Sequence, residues 1–205
     1  MKNFFIVIVI SLGMAAVLLS ACASGPNVSR IDAGTQTDLS GYWNDTDVRI
    51  VCKSLIDDCL ASPRVDQAIK AMGRTPKVIV GRFRNESAEQ IDTSIISIIM
   101  EQTIFNSGKM DFVATGSVRD DIRAERQDQM SGHTSDNSMS GDGNETGADF
   151  MLTGSVKAMV DRAGNRTVRT YFVTAELTNI RTNERMWIGQ NSEIKKVVIR
   201  PKNKL

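Results

Sequence analysis

The last third of the chain constrains its fold most strongly, because apolar and polar residues alternate there through three consecutive runs. A period of two places every second side chain on the same face of a β-strand, so each run predicts a strand with one buried and one solvated face. Short polar turns join the runs, which predicts an antiparallel meander. The runs are Phe150–Val160, Val168–Ile180 and Arg185–Ile194, and the predicted inward residues are Phe150, Leu152, Val156, Ala158, Val160, Tyr171, Val173, Ala175, Leu177, Met186 and Ile188.

A β-α-β unit is predicted upstream of this meander. Lys77–Phe83 is a nearly continuous apolar run of strand length, and Met110–Ala114 is a second one. Between them, Asp92 is a suitable N-cap and Gly108 a suitable end for an apolar helix. The residues expected to lie on the sheet are Ile91, Ile95, Ile98, Ile99, Met100 and Phe105. We therefore expect a two-layer α/β domain, in which helices pack on one face of a mixed, mainly antiparallel sheet of about five strands.

Two further helices are predicted before the first strand. Residues 47–60 carry apolar side chains at helical spacing, and Pro63 opens a second short helix that ends at Gly73. Cys52 and Cys59 both lie on the first helix, where a rise of 1.5 Å per residue separates their Cα atoms by about 10.5 Å. A disulfide tolerates only about 7 Å. We therefore expect two buried thiols, and we expect no metal site because the single histidine lies far away in the sequence.

A charged segment separates the β-α-β unit from the meander. Ser117 and Asp120 match a capping box, which predicts a helix from about Val118 to Gln129. Residues 131–147 are polar and rich in glycine, and they lack the ligand spacing of a calcium loop. They predict a solvated loop.

The N-terminus has the layout of a secretory signal. A positive charge at Lys2 precedes an apolar run from Phe4 to Leu19, and small residues follow. Leu19-Ser20-Ala21-Cys22 resembles the lipobox of bacterial lipoproteins. The resemblance implies cleavage between Ala21 and Cys22, a lipid on Cys22 and, with Ala23 in place of aspartate, sorting to the outer membrane. An uncleaved transmembrane anchor is the alternative, but serine and glycine dilute the apolar run and no basic cluster follows it.

These observations predict four segments. They are a signal peptide at 1–21, a lipidated cysteine with a flexible tether at 22–40, an α/β domain at 41–197 and a basic tail at 198–205. The formal net charge of +1 becomes 0 when the signal peptide is removed, because Lys2 is its one charged residue. A balanced charge offers no electrostatic argument for binding nucleic acid.

The sequence does not predict an enzyme. His133 is the sole histidine and lies in the polar loop, so a Ser-His or Cys-His pair has no plausible base. Asp120, Asp121 and Glu125 share a helix with arginines, which is more typical of a salt-bridged surface than of an acid/base pair. No phosphate-binding or dinucleotide-binding fingerprint is present. We therefore expect no catalytic residue, no cofactor and no small-molecule substrate.

Several short motifs together resemble the LpoB-type activators of penicillin-binding proteins. In order they are Tyr42–Asp47, Val78–Gly81 with Asn85, Ile91–Thr93, Ser107–Lys109, Gly147–Gly154, and Thr182–Glu184 leading into Trp187. The resemblance implies a non-catalytic lipoprotein that faces the periplasm and binds a class A, bifunctional penicillin-binding protein. Such a protein stimulates the glycan polymerisation and peptide cross-linking of its partner. Related domains in TolB and in the CsgG curli-secretion lipoproteins leave an alternative, a subunit of a secretion or envelope-integrity complex.

Two surfaces are candidates for binding a partner. One is the charged helix, through Arg119, Arg123 and Arg126, for which an ordinary solvated surface is the simpler interpretation. The other is the outer sheet face, through Met151, Thr153, Lys157 and Met159, because exposed methionines suit an adaptable interface. The helix of residues 47–60 covering that face is the alternative. The tether of about 18 residues reaches at most about 60 Å, which is short beside the long, proline-rich tether of enterobacterial members.

Overall fold

The computed structural model describes residues 28–32, 34–141 and 143–201. The predicted signal peptide, the cleavage site at Ala21 and the lipidated Cys22 lie outside the described residues, as does the end of the basic tail. The chain divides into a unit that ends at Thr35 and a unit that begins at Gln36. In the first, Asp32 forms a short turn in which its Oδ1 accepts from Gly34 N at 2.7 Å. None of the helices in the described ranges combines the length and the hydrophobicity that crossing a bilayer requires.

The second unit is built on a mixed sheet. Its strands, within the described residues, are β1 (Lys77–Asn85), β2 (Asp111–Phe112), β3 (Phe150–Ala163), β4 (Arg166–Asn179), β5 (Arg185–Asn191) and β6 (Lys195–Ile199). The order is β2-β1-β3-β4-β5, and β6 also pairs with β4. β1 runs parallel to both β2 and β3, whereas β4 is antiparallel to β3, β5 and β6. The expected mixed, mainly antiparallel sheet is therefore confirmed.

Local capping signals define the helices. The helices are α1 (Asp45–Ala61), α2 (Pro63–Met72), α3 (Thr93–Ser107) and α4 (Gly116–Asp128), and a π-helical turn follows at Gln129–His133. Asn44 caps α1 through a capping box with Asp47. Asp92 caps α3, and Gly73 and Gly108 end α2 and α3 in the left-handed conformation, as expected.

Helices α1 and α3 bury one face of the sheet. α1 contributes Val51, Leu55 and Ile56 to a core that also contains Leu152 and Leu177. Polar contacts fix α1 on β5, since Trp187 Nε1 donates to Asp58 Oδ2 at 2.8 Å and Asn191 Nδ2 donates to Ser54 Oγ at 3.2 Å. We call this side the inner face, and the fold is a two-layer α/β domain.

The two cysteines of α1 are buried thiols, as predicted. Both are free and lie within the core of the described unit. Burial raises the pKa of each thiol to about 12, and for Cys59 the neighbouring Asp58 adds to the effect. Both side chains therefore pack as small apolar groups.

The predicted inner side of α3 is partly wrong. Met100 is buried as expected, and Ile91 and Ile99 pack against the core. The structure buries Ile96, Met100 and Ile104 against the sheet. Ile95, Ile98 and Phe105 are instead 47 %, 62 % and 63 % exposed. The helix is apolar on most of its circumference, so its own periodicity does not identify the side that meets the sheet.

The predicted inner side of β5 is also wrong. Trp187, Gly189 and Asn191 face the core, whereas Ile188 is 60 % exposed and Met186 is partly buried. A shift of one residue moves every side chain of a strand to the other face. In β5 the indole ring of Trp187 determines which face points to the core. A Cβ on Gly189 would lie 2.1 Å from the Trp187 ring, so the ring occupies the space that glycine leaves free.

Three smaller expectations differ from the structure. Thr115, not Ser117, stands at the N-cap of α4 and makes no side-chain capping bond, so the predicted capping box does not form. β2 has two residues where five were expected, and β1 extends to Asn85. The expected basic tail from residue 198 begins inside β6, which the sequence analysis did not predict.

Candidate partner-binding surfaces

The second face of the sheet, which we call the outer face, is not covered by any described helix. Met151, Lys157 and Met159 of β3 alternate with the core residues Phe150, Leu152 and Val156 and therefore lie on this face. Lys157 and Met159 are exposed, and Met151 is partly buried. The alternative in which the helix of residues 47–60 covers these methionines is wrong, because that helix packs on the inner face.

A groove of about 440 Å³ runs along the outer face. Small residues of β3 and β4 form its floor, Arg82 and Arg84 border it on β1, and Arg185 and Ile188 border it on β5. β1 shifts register against β3 between Val80 and Phe83, and this irregularity precedes the two β1 arginines. The sequence analysis missed all three arginines, because they come from strands about 100 residues apart that only the parallel β1–β3 pairing brings together.

The outer face carries a positive excess. Lys157 Nζ lies 3.2 Å from Glu86 Oε2, Arg84 Nε lies 3.3 Å from Glu86 Oε1, and Arg185 Nε lies 3.2 Å from Glu176 Oε2. These pairs are solvent-exposed and therefore add little to stability. Arg82 forms no ion pair within the described part of the chain, so four basic side chains face two carboxylates.

The three α4 arginines bind their own chain. Arg123 Nε and Nη2 donate to the two carboxylate oxygens of Glu145 at 2.8 and 3.0 Å, and Arg126 Nη1 donates to Glu145 Oε1 at 3.1 Å. Arg119 Nε donates to the carbonyl of Ala114 at 2.8 Å. The guanidinium of Arg123 holds the pKa of Glu145 below its usual range. The arginines therefore fasten the segment around Glu145 onto α4, which has no buried residue of its own.

A buried polar network explains the Tyr42–Asp47 motif. Lys196 Nζ lies 2.6 Å from Asp47 Oδ2 and 2.8 Å from Asp38 Oδ1, and it donates to the Tyr42 carbonyl at 2.9 Å. The rings of Trp43 and Tyr171 meet edge to face at 5.1 Å. Tyr171 Oη donates to Glu89 Oε2 at 2.8 Å, and burial together with this carboxylate raises the pKa of the tyrosine. The motif thus binds the start of the unit to β4 and β6, including Asp38, which was expected to lie in the tether.

The outer face of the sheet and the exposed side of α3 are surfaces suited to binding. His133 is exposed in the π-helical turn. Among the residues that the structure describes, no group of three or more histidine, cysteine, aspartate or glutamate side chains could hold a metal ion. The exposed side of α3 adds an apolar stripe, Ile95, Ile98 and Phe105, that the sequence analysis had assigned to the core.

Comparison with known proteins identifies a family. Residues 47–192 match the family model described as "Peptidoglycan-synthase activator LpoB". A search of curated proteins found no match.

Among solved structures, the chain is similar to the LpoB C-terminal domain from Escherichia coli, with 14% identity over 70% of this chain and 96% of that one and a TM-score of 0.43. The LpoB C-terminal domain from Salmonella enterica gives 15% identity over 75% and 99% of the two chains, with a TM-score of 0.41. Lipoprotein GNA1162 from Neisseria meningitidis gives 14% identity over 62% and 88%, with a TM-score of 0.36. The family assignment rests on the family model.

Proposed function

The chain belongs to the LpoB family of peptidoglycan-synthase activators, and we propose that it is an outer-membrane lipoprotein that binds and activates a class A penicillin-binding protein. The family-model match over residues 47–192 carries this proposal, since it spans most of the α/β unit. The family consists of activators, and the absence of a plausible histidine base in the sequence also favours binding over catalysis. The protein would face the periplasm and stimulate a synthase in the inner membrane.

The proposed anchor is the lipid on Cys22. The lipobox Leu19–Cys22 supports it, because an aliphatic residue and two small residues precede the cysteine after an apolar run. Mass spectrometry of the protein purified from membranes should find residues 1–21 absent and a lipid on Cys22, whereas a Cys22→Ser variant should keep its signal peptide. An unmodified Cys22 behind a retained N-terminus would contradict the anchor.

We place the docking surface on the outer face of the sheet. Met151 and Lys157 lie there beside Arg82, Arg84 and Arg185, and the excess of basic groups favours a partner surface of opposite charge. The α4 arginines Arg119, Arg123 and Arg126 are the second choice, because they already bind Glu145 and the Ala114 carbonyl.

Charge reversal distinguishes these two surfaces. Arg82→Glu combined with Arg185→Glu should weaken the affinity for a purified class A synthase of the same organism at least about tenfold, since opposed like charges are costly at an interface. Arg64→Glu, a single charge reversal of the same kind at an exposed position of α2, should leave the affinity unchanged. If Arg123→Glu combined with Arg126→Glu abolishes binding and Arg82→Glu with Arg185→Glu does not, the docking surface lies on α4 instead. Wild-type protein that binds no class A synthase would overturn the proposed function.

A further inference from the structure

The inner face of the sheet is apolar where the helices cover it and becomes basic beyond that part. Along β4 it is apolar at Val173 and Tyr171, but the next inward residues are Arg169 and Thr167. The register sets Arg169 opposite Lys196 on β6 and Thr167 opposite Arg162 on β3. Basic groups thus take the places that the alternation would give to core residues.

These residues line a cleft of about 440 Å³ at the end of the β3–β4 hairpin. Arg162, Arg169 and Arg200 contribute three guanidinium groups, and Ser40 and Tyr42 close the cleft from the start of the unit. Asn165 and Thr167 add further polar groups, and Asn165 Nδ2 donates to the Arg200 carbonyl at 2.9 Å. No carboxylate belongs to the lining within the described residues. The cleft is therefore positively charged and large enough for a small ligand.

Arg169 is the buried member of this group. Its side chain is 9% exposed, and its guanidinium lies over the Tyr42 ring at 4.2 Å. Its Nε lies 3.2 Å from Glu89 Oε1, without the geometry of a hydrogen bond. Its two terminal nitrogens have no hydrogen-bond partner in the described ranges. By contrast, the neighbouring Lys196 has two carboxylates and a carbonyl around its ammonium group.

This difference leaves donors of Arg169 available to a ligand. Its terminal nitrogens are not among the buried side-chain atoms without a partner, so they are open to the cleft that Arg169 lines. A guanidinium presents its donors in a planar fork that matches the oxygen pairs of carboxylate and phosphate groups. An oxyanion in the cleft would satisfy the terminal nitrogens of Arg169 and relieve the repulsion among the three arginines.

We propose that the cleft formed by Arg162, Arg169 and Arg200 binds the oxyanion of a small ligand, either a phosphate or a carboxylate group. Arg169 anchors the anion from below, and Arg162 and Arg200 close over it from the exposed side. The concave shape fits a small anionic group better than it fits the flat surface of a membrane. This site is separate from the outer face, so it is independent of whether that face binds a synthase.

The test is titration of the full chain with inorganic phosphate and, separately, with citrate, each at constant ionic strength maintained with sodium chloride. Binding to the native state should raise the Tm progressively with the logarithm of the anion concentration and give a saturable 1:1 isotherm by calorimetry. Arg162→Gln with Arg200→Gln, two exposed residues, should weaken this binding at least about tenfold through the lost charge-assisted hydrogen bonds. Arg166→Gln, which removes one positive charge from the opposite face of the hairpin, should bind like wild type.

Each outcome decides the proposal. Saturable binding of phosphate or of citrate that is lost in the double variant supports the site and identifies the preferred oxyanion. Equal binding by wild type, the double variant and Arg166→Gln would overturn it, and so would the absence of saturable binding of either anion. Binding only to phosphatidylglycerol vesicles, unchanged in the double variant, would also overturn it, because a membrane surface does not require the cleft. Arg169→Lys, a test of the buried anchor, should weaken anion binding while leaving the circular dichroism spectrum native.

Discussion

Single buried side chains hold the edge of the unit together, and Lys196 is the clearest case. Its side chain is 11% exposed, and its main partner Asp47 is 6% exposed. Asp47 also completes the capping box of α1, so its carboxylate links the helix start to β6, and Lys196 extends this link to Asp38. Removing one partner of a buried ion pair leaves the other charge uncompensated.

We predict that Lys196→Met lowers the free energy of unfolding by about 3 kcal/mol, the range measured when one partner of a buried pair is removed. Lys195→Met is the matched control, because Lys195 is the exposed neighbour on the other face of β6. It should change stability by less than about 0.5 kcal/mol. Urea unfolding measures both values, and equal effects of the two substitutions would show that the Lys196 network contributes little.

The buried thiols predict a decline of stability in alkaline solution. Their pKa values are about 12 in the folded chain against 9.0 for a free thiol, so the unfolded chain releases these protons first as the pH rises. The contribution is complete below pH 9 and is lost progressively between about pH 9 and pH 12.

At pH 10 the two thiols together should lower the free energy of unfolding by about 3 kcal/mol. A Cys52→Ala, Cys59→Ala variant should lack this part of the decline, although it is less stable at neutral pH because of its cavities. Unfolding measured from pH 8 to pH 10.5 compares the two proteins. Parallel curves would contradict the burial of ionisable thiols.

Among the elements, local signals in the sequence predict where α2 ends and where α3 begins and ends, whereas the side that faces the core depends on distant contacts. Gly73, Asp92 and Gly108 act within one helical turn, so the sequence identifies them. The faces of α3 and β5 were not predictable, because α3 is apolar nearly all round and the Trp187 indole, hydrogen-bonded to Asp58, determines the face of β5. β6 pairs with the far end of β4 and not with β5, its neighbour in sequence, so no hairpin signal in the sequence predicts it.

The corrected orientation of α3 gives a direct prediction. Met100→Ala should destabilise the protein by about 2–5 kcal/mol, because it leaves a cavity between α3 and the sheet. Ile98→Ala, on the exposed side of the same helix, should change stability by less than about 1 kcal/mol. Thermal unfolding of the two variants measures the difference. The reverse order would contradict the orientation of α3 in the structure.

At the scale of the whole molecule, the lipid proposed on Cys22 confines a binding domain close to the outer membrane. Because the compact unit begins at Gln36, the sequence between Cys22 and that residue spans at most about 50 Å when fully extended. The lipid thus raises the local concentration of the domain near its partner, provided that the tether can span the distance. Neither the outer-face groove nor the Arg169 cleft was predictable, because each is assembled from residues far apart in the chain.

Tether length should therefore limit activity in cells. Deleting residues 26–31 shortens the maximum reach by about 20 Å and should reduce complementation of a strain that lacks the protein. Replacing the same residues by glycine and serine keeps the length and should preserve complementation. The purified deletion variant should still bind its synthase in solution. Full complementation by the deletion variant would show that the distance between anchor and partner is not limiting.

We propose that this protein activates a peptidoglycan synthase through the outer face of its sheet. The test is the glycan polymerisation rate of a purified class A penicillin-binding protein of the same organism, with and without the full chain. We expect wild type and Arg64→Glu to raise the rate several-fold, and Arg82→Glu with Arg185→Glu to leave it unchanged. An unchanged rate with wild-type protein would contradict the proposed function, and full activation by the sheet variant would contradict the docking surface.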